Sequence, residues 1–127
     1  MGSQYPPRVL VVEDEFLVRE MIVEELTRAG FDVVQAGSAE DALALVLTCG
    51  RIDLLFTDIR LPGMNGWQLA QRIRGQFAEM PIIYASGYSD EVNPLPRSKF
   101  LQKPYRPSQV LQAAGNLGIK LPDAPTN

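Results

Sequence analysis

The sequence predicts an α/β fold, a five-stranded parallel sheet in the order 2-1-3-4-5 with helices on both faces. Three observations carry that expectation. Short β-rich apolar runs alternate with segments of helical periodicity along most of the chain, and such alternation implies right-handed βαβ units. Ile52 to Thr57 holds Leu54, Leu55 and Phe56 in a row, as a strand covered on both faces does. Each run also ends against isolated polar residues, on the side where an open parallel sheet binds ligands.

Arg8 to Val12 forms the first strand, and Glu13-Asp14-Glu15 breaks it abruptly. From Phe16 to Ala29 the residues Val18, Ile22, Leu26 and Ala29 recur at helical spacing, with Leu17 and Met21 widening the stripe, and Gly30 stops the helix. Phe31 to Gln35 reads as the second strand. Ser38-Ala39-Glu40-Asp41 fits a capping box for a helix running to about Thr48. After the third strand, Pro62-Gly63 and Asn65-Gly66 make a loop, and Trp67, Leu69, Ala70 and Ile73 give the next helix an apolar side. Pro81 to Ala85 is the fourth strand and Lys99 to Gln102 the fifth. A last helix covers about Pro107 to Leu117 and stops at Gly118. Between Ser86 and Lys103, Pro94 and Pro96 leave room for about two helical turns around Ser89 to Asn93, so the fourth helix is expected to be short or absent. This arrangement is flavodoxin-like.

A chain of 127 residues is expected to form one domain and to bury roughly two-thirds of its unfolded surface. The domain is placed at residues 8–118, with 1–7 and 119–127 as flexible ends or cloning remnants. Histidine is absent, which excludes a Ser-His-Asp triad, an imidazole base, a histidine metal ligand and a phosphohistidine. Cys49 is the single cysteine, so there is no internal disulfide and no cysteine-based zinc site, and its apolar surroundings suggest a buried thiol in a reducing compartment. Twelve Lys and Arg against fifteen Asp and Glu give a net charge of −3 and a pI near 4.9, which argue against a nucleic-acid or anionic membrane surface. No apolar run approaches the ~18 residues of a spanning helix. A cytoplasmic location is the expectation. The chemistry left to this chain belongs to carboxylates, hydroxyls and lysine.

Those groups sit at the strand ends. Glu13 and Asp14 follow the first strand, Asp58 the third, Ser86 the fourth and Lys103 the fifth. The predicted topology gathers all five into one cleft. Two carboxylates ~5 Å apart repel by roughly 3 kcal/mol at an effective dielectric of ~20, and Lys103 supplies only one positive charge. A hard divalent ion such as Mg²⁺, taking carboxylates, waters and substrate phosphate, relieves that repulsion, and the set then suits phosphoryl transfer. Taken singly, each residue has an ordinary reading. Glu13 or Asp14 can complement a helix dipole, Asp58 can cap a loop, Ser86 can serve a turn and Lys103 can be solvated surface. Coincidence at four strand ends together favours function.

The motifs Val-Leu-Val-Val-Glu-Asp-Glu (9–15), Thr-Asp-Ile-Arg-Leu-Pro-Gly-Met-Asn-Gly (57–66), Ala-Ser-Gly (85–87) and Lys-Pro-Tyr (103–105) resemble the receiver domain of bacterial two-component response regulators, a CheY-like family. The resemblance implies that Asp58 is the phosphoacceptor, and that Glu13, Asp14, Asp58 and the backbone carbonyl of Arg60 surround Mg²⁺. It implies that Ser86 and Lys103 bind the phosphoryl group, that Ser86 and Phe100 form the switch, and that the Lys103-Pro104 bond is cis. The implied donor is a sensor histidine kinase or a histidine phosphotransfer protein, and the output an effector protein of unspecified identity. Direct contact with nucleic acid or membrane is not expected, and the domain is a monomer or weak homodimer. It is a phosphoryl acceptor that assists its own phosphorylation and dephosphorylation, not a turnover enzyme. Ser86 stands where Thr is commoner, and Tyr105 where Phe is. The stretch Tyr84-Ala85-Ser86-Gly87-Tyr88 partly resembles an atypical subgroup whose motif begins Phe-Ala-Thr-Gly. Arg60 and Tyr88 flank the site, where they either tune access of water or are plain surface.

Three other classes share parts of the pattern. An FMN carrier has this topology, but Glu13-Asp14-Glu15 repels phosphate unless a metal bridges them. A carboxylate-dependent phosphatase commonly carries a second acid two residues after its nucleophile, where this chain has Arg60. A metal-independent interaction module predicts no response of Trp67 fluorescence to Mg²⁺.

Overall fold

Apolar runs and amphipathic segments become strands and helices in the expected succession in the computed structural model, which describes residues 5–88 and 95–121. The elements are β1 (Arg8–Val12), α1 (Phe16–Ala29), β2 (Asp32–Ala36), α2 (Ala39–Thr48), β3 (Leu54–Asp58), α3 (Gly66–Gln76), β4 (Ile82–Ser86), β5 (Ser98–Gln102) and α4 (Pro107–Asn116). All strand pairs are parallel, in the order β2-β1-β3-β4-β5. The short fourth helix expected around Ser89 to Asn93 lies outside the described residues, as do the outermost residues of both ends. No described helix is long and apolar enough to cross a membrane.

Alternation of side chains across the sheet splits the core into two layers. Leu10, Val12, Leu55, Ile82 and Tyr84 face α2 and α3, where Ala39, Ala42, Leu69 and Ile73 meet them. Val9, Val11, Leu54, Phe56 and Ile83 face the other side, against Leu26 of α1 and Val110, Ala113 and Ala114 of α4. β3 and β4 are buried along their whole length, which is why their sequences show no polar alternation. β5 is an edge strand and only partly covered.

Caps set the helix ends. Gly30 adopts a left-handed φ of 113° and returns its N–H to Leu26 and Thr27 carbonyls, closing α1. The Ser38 hydroxyl accepts from the Asp41 N–H at 3.0 Å, opening α2 as its sequence suggests.

Some expectations change. Leu17 and Met21 do not widen a buried stripe, because they are 74% and 64% exposed, and Leu26 is the fully buried residue of α1. A helix lying on one side of the sheet buries a narrow face, and Leu17 and Met21 fall outside it. Cys49 is half-buried at the end of α2 rather than in the core. Asp58 and Ser86 are the last residues of β3 and β4, so the pairing holds their backbones as well.

Candidate functional site

β1, β3, β4 and β5 all end on the same side of the sheet, which brings the polar strand-end residues together. The backbone N–H of Glu13 still pairs with the β2 terminus, donating to the Ala36 carbonyl at 3.2 Å. Its side chain turns inward and is only 2% exposed. One carboxylate oxygen accepts from the Glu15 N–H at 3.2 Å and the other from Lys103 Nζ at 3.2 Å. The same Lys103 Nζ lies 3.4 Å from Asp58 Oδ2. Lys103 therefore bridges two buried acids, while Asp14 between Glu13 and Glu15 points to solvent. One oxygen each from Glu13, Asp14 and Asp58 fall within 4.8 Å of one another.

Position explains the charge states. Burial pushes the Asp58 carboxyl above its usual value, although Lys103 and the Arg60 N–H, which donates to it, pull the other way. Burial raises Glu13 in the same sense, opposed by the Glu15 N–H and by Lys103. For Lys103, burial lowers the ammonium, but the facing Asp58 and Glu13 carboxylates outweigh it and leave it raised. Tyr105, its ring centroid 5.7 Å from that of Phe56 and tilted 58° to it, is raised by burial and then by Glu13 and Asp58. A raised acid is one whose ionised form lacks compensation. The site has an unmet demand for positive charge.

Three carboxylate oxygens with no sulfur or nitrogen donor are a hard-ligand set, and exposed Asp14 leaves one side open for water and phosphate oxygens. Those properties suit a hard divalent cation better than a soft one. A cleft of about 580 Å³ opens beside Asp14, lined also by Arg60, Pro62, Asn65 and Trp67.

Ser86 is fully buried at the end of β4, and its Oγ accepts from the Tyr88 N–H at 3.1 Å. The Arg60 guanidinium sits 4.0 Å from the centroid of the Tyr88 ring, a cation–π stack across the rim. Phe100 pairs in register with Tyr84 and packs into the α2–α3 layer. It thus lies on the face that Ser86 shares, two positions down the strand. The Lys103-Pro104 bond is cis.

Two contributors escaped sequence reasoning. The Arg60 backbone supplies an N–H to Asp58. Arg19 of α1 donates from Nη1 to the Glu13 carbonyl at 2.8 Å. A cation inside the Val18–Ile22 stripe was the one available signal for the second.

The sheet order, the acidic triplet and the bridging lysine are the arrangement expected of a receiver module of two-component signalling. Within that class the chain belongs to the response regulator receiver domain family, whose profile matches residues 9–115. It is 35% identical over 120 residues to the transcriptional regulatory protein AruR of Pseudomonas aeruginosa, covering 87% of this chain and 49% of AruR. The chain thus spans about half the length of that relative. A response regulator receiver protein from Sinorhizobium medicae superposes with a TM-score of 0.83 at 32% identity, covering 91% of this chain and 96% of that one. The response regulator TrrA of Thermotoga maritima, solved in complex with Mg²⁺-BeF, gives 0.79 at 30% identity, covering 87% and 98%.

Proposed function

We propose that Asp58 takes a phosphoryl group from a phosphohistidine on a partner protein, and that the modified domain changes which effector it binds. The observation that carries this reading is the grip on Asp58: a buried carboxylate at a strand end, held 3.4 Å from Lys103 Nζ and within 4.8 Å of two further acids. An Asp58 oxygen attacks phosphorus in line; the O–P bond forms as the N–P bond breaks, and the imidazole of the partner leaves with the bonding pair. Glu13, Asp14, Asp58 and the Arg60 carbonyl would hold Mg²⁺, which would supply charge neutralisation at the phosphoryl oxygens. Lys103 pairs with one of those oxygens and the Ser86 hydroxyl hydrogen-bonds another. The inward pull on Ser86 gives Phe100, on the same sheet face, a changed neighbour, and the β4–β5 side a changed surface.

The acceptor unit spans residues 8–118 and works in the cytoplasm as a monomer or weak homodimer. Its donor is a sensor histidine kinase or a histidine phosphotransfer protein, because residues 1–127 hold no histidine to carry the phosphoryl group. The unit assists its own phosphorylation and dephosphorylation without turning over a substrate. Intact mass after incubation with acetyl phosphate and Mg²⁺ tests the reading. The wild type is expected to gain one phosphoryl group, and Asp58→Ala or excess chelator none. An unmodified wild type, or a modified Asp58→Ala, refutes it.

A further inference from the structure

We infer that Arg19 is a positioning residue, which fixes the turn between β1 and α1 so that Glu13 and Asp14 present their oxygens to a divalent cation. This rests on the reading of the acidic cluster as a Mg²⁺ site. Arg19 is anchored on three sides. Its Nη1 donates to the Glu13 carbonyl at 2.8 Å, its Nε donates to Gln35 Oε1 at 3.1 Å, and its guanidinium lies 5.5 Å from the Phe16 ring centroid. Gly37 packs closely under it: a Cβ there would stand 3.1 Å from Nη1, so the guanidinium would have to shift by a few tenths of an ångström. The Arg19 backbone holds the other end of the same turn, its N–H donating to the Glu15 carbonyl at 2.9 Å. Asp14 lies between the two fixed carbonyls.

The partner of the guanidinium is a carbonyl, not a carboxylate. Arg19 therefore leaves the Glu13 charge to Lys103, and its charge-assisted bond orients the backbone instead. The two cations near Glu13 have separate tasks. Positioning and plain electrostatics then predict opposite outcomes. Removing a cation near an acidic cluster strengthens Mg²⁺ binding if Arg19 acts only through its charge. Removing the anchor weakens binding if Arg19 holds the turn.

Mg²⁺ is titrated calorimetrically into the wild-type chain and into Arg19→Ala, Arg19→Lys and Arg28→Ala, and the melting temperature of each Mg²⁺-free protein is recorded. Arg28 is the same charge on the same helix, paired with Glu24 and away from the turn. Arg19→Ala is expected to bind Mg²⁺ about 10-fold more weakly, as loss of an outer-shell partner does. Arg19→Lys, with the charge but without the fork, recovers only part of that loss, and Arg28→Ala binds as the wild type does. An Arg19→Ala chain that binds Mg²⁺ equally or more tightly overturns the inference, as does one that loses stability with unchanged affinity. If Arg19→Ala does not fold, Arg19→Lys decides, and wild-type affinity there overturns it. A wild type that takes no Mg²⁺ overturns this inference and the metal reading together.

Discussion

At the scale of single residues, the main fact about the site is that burial resists ionisation of Asp58 and Glu13. Each lies above its usual carboxylate value because burial removes water faster than Lys103 replaces it. Replacing Asp58 by Asn is therefore expected to stabilise the Mg²⁺-free fold at neutral pH. Loss of the Lys103 contact offsets most of the relieved repulsion, leaving a net gain on the order of 1 kcal/mol in urea unfolding. A destabilised Asn variant would mean that the lysine already satisfies Asp58. Ser86 answers to a different force. Its Oγ accepts the Tyr88 N–H in a fully buried position, so Ser86→Ala orphans that donor and costs about 1 kcal/mol. Ser86→Thr keeps the hydroxyl, and its phosphorylation by acetyl phosphate is expected to stay closer to wild type than that of Ser86→Ala.

Elements place these residues, and the junction of β3 with α3 shows how tightly. The Gly66 N–H donates to the Ile59 carbonyl at 2.9 Å, and a Cβ on Gly66 meets the Asp58 carbonyl oxygen at 2.3 Å and the Ile59 Cα at 2.9 Å. Both obstacles are backbone, which cannot swing aside. Gly66→Ala is expected to destabilise by about 3 kcal/mol, at the upper end of overpacking, and to weaken Mg²⁺ binding by moving Asp58 and Arg60. The reciprocal Asn65–Gln68 capping box starts the same helix, and Asn65→Ala costs about 1 kcal/mol while leaving the Asp58 backbone in place. Equal losses of Mg²⁺ affinity in the two variants would contradict this division. Elements were also the most legible level in the sequence. β3 and β4 announce themselves because both faces are covered, and α1 has the expected bounds. Its buried face was misread at Leu17 and Met21, since periodicity reports which residues share a side and not how wide a strip of that side the sheet covers.

Over the whole molecule, parallel strands that all end on one side convert a linear pattern into a site. That is why Glu13, Asp14, Asp58 and Lys103 could be grouped from sequence, each lying beside a strand end. Arg19 could not be grouped with them, because its bond to the Glu13 carbonyl depends on α1 folding back beside β2. The same assembly links folding to pH and metal. Two carboxyls raised above their unfolded values hold protons more tightly in the folded state. The stability they provide is present below the ordinary carboxylate range and is lost as pH rises through the raised folded values. Mg²⁺ requires the ionised forms, so its stabilisation follows the opposite course, growing with pH and reaching about 2.7 kcal/mol at 100 times the dissociation constant. Melting curves with and without Mg²⁺ are therefore expected to diverge as pH rises through and above the ordinary carboxylate range. Asp58→Asn removes one of the two titrating groups, and its curves should diverge less. A Mg²⁺ increment that stays constant across that range, in wild type and variant alike, would place the ion away from these two acids.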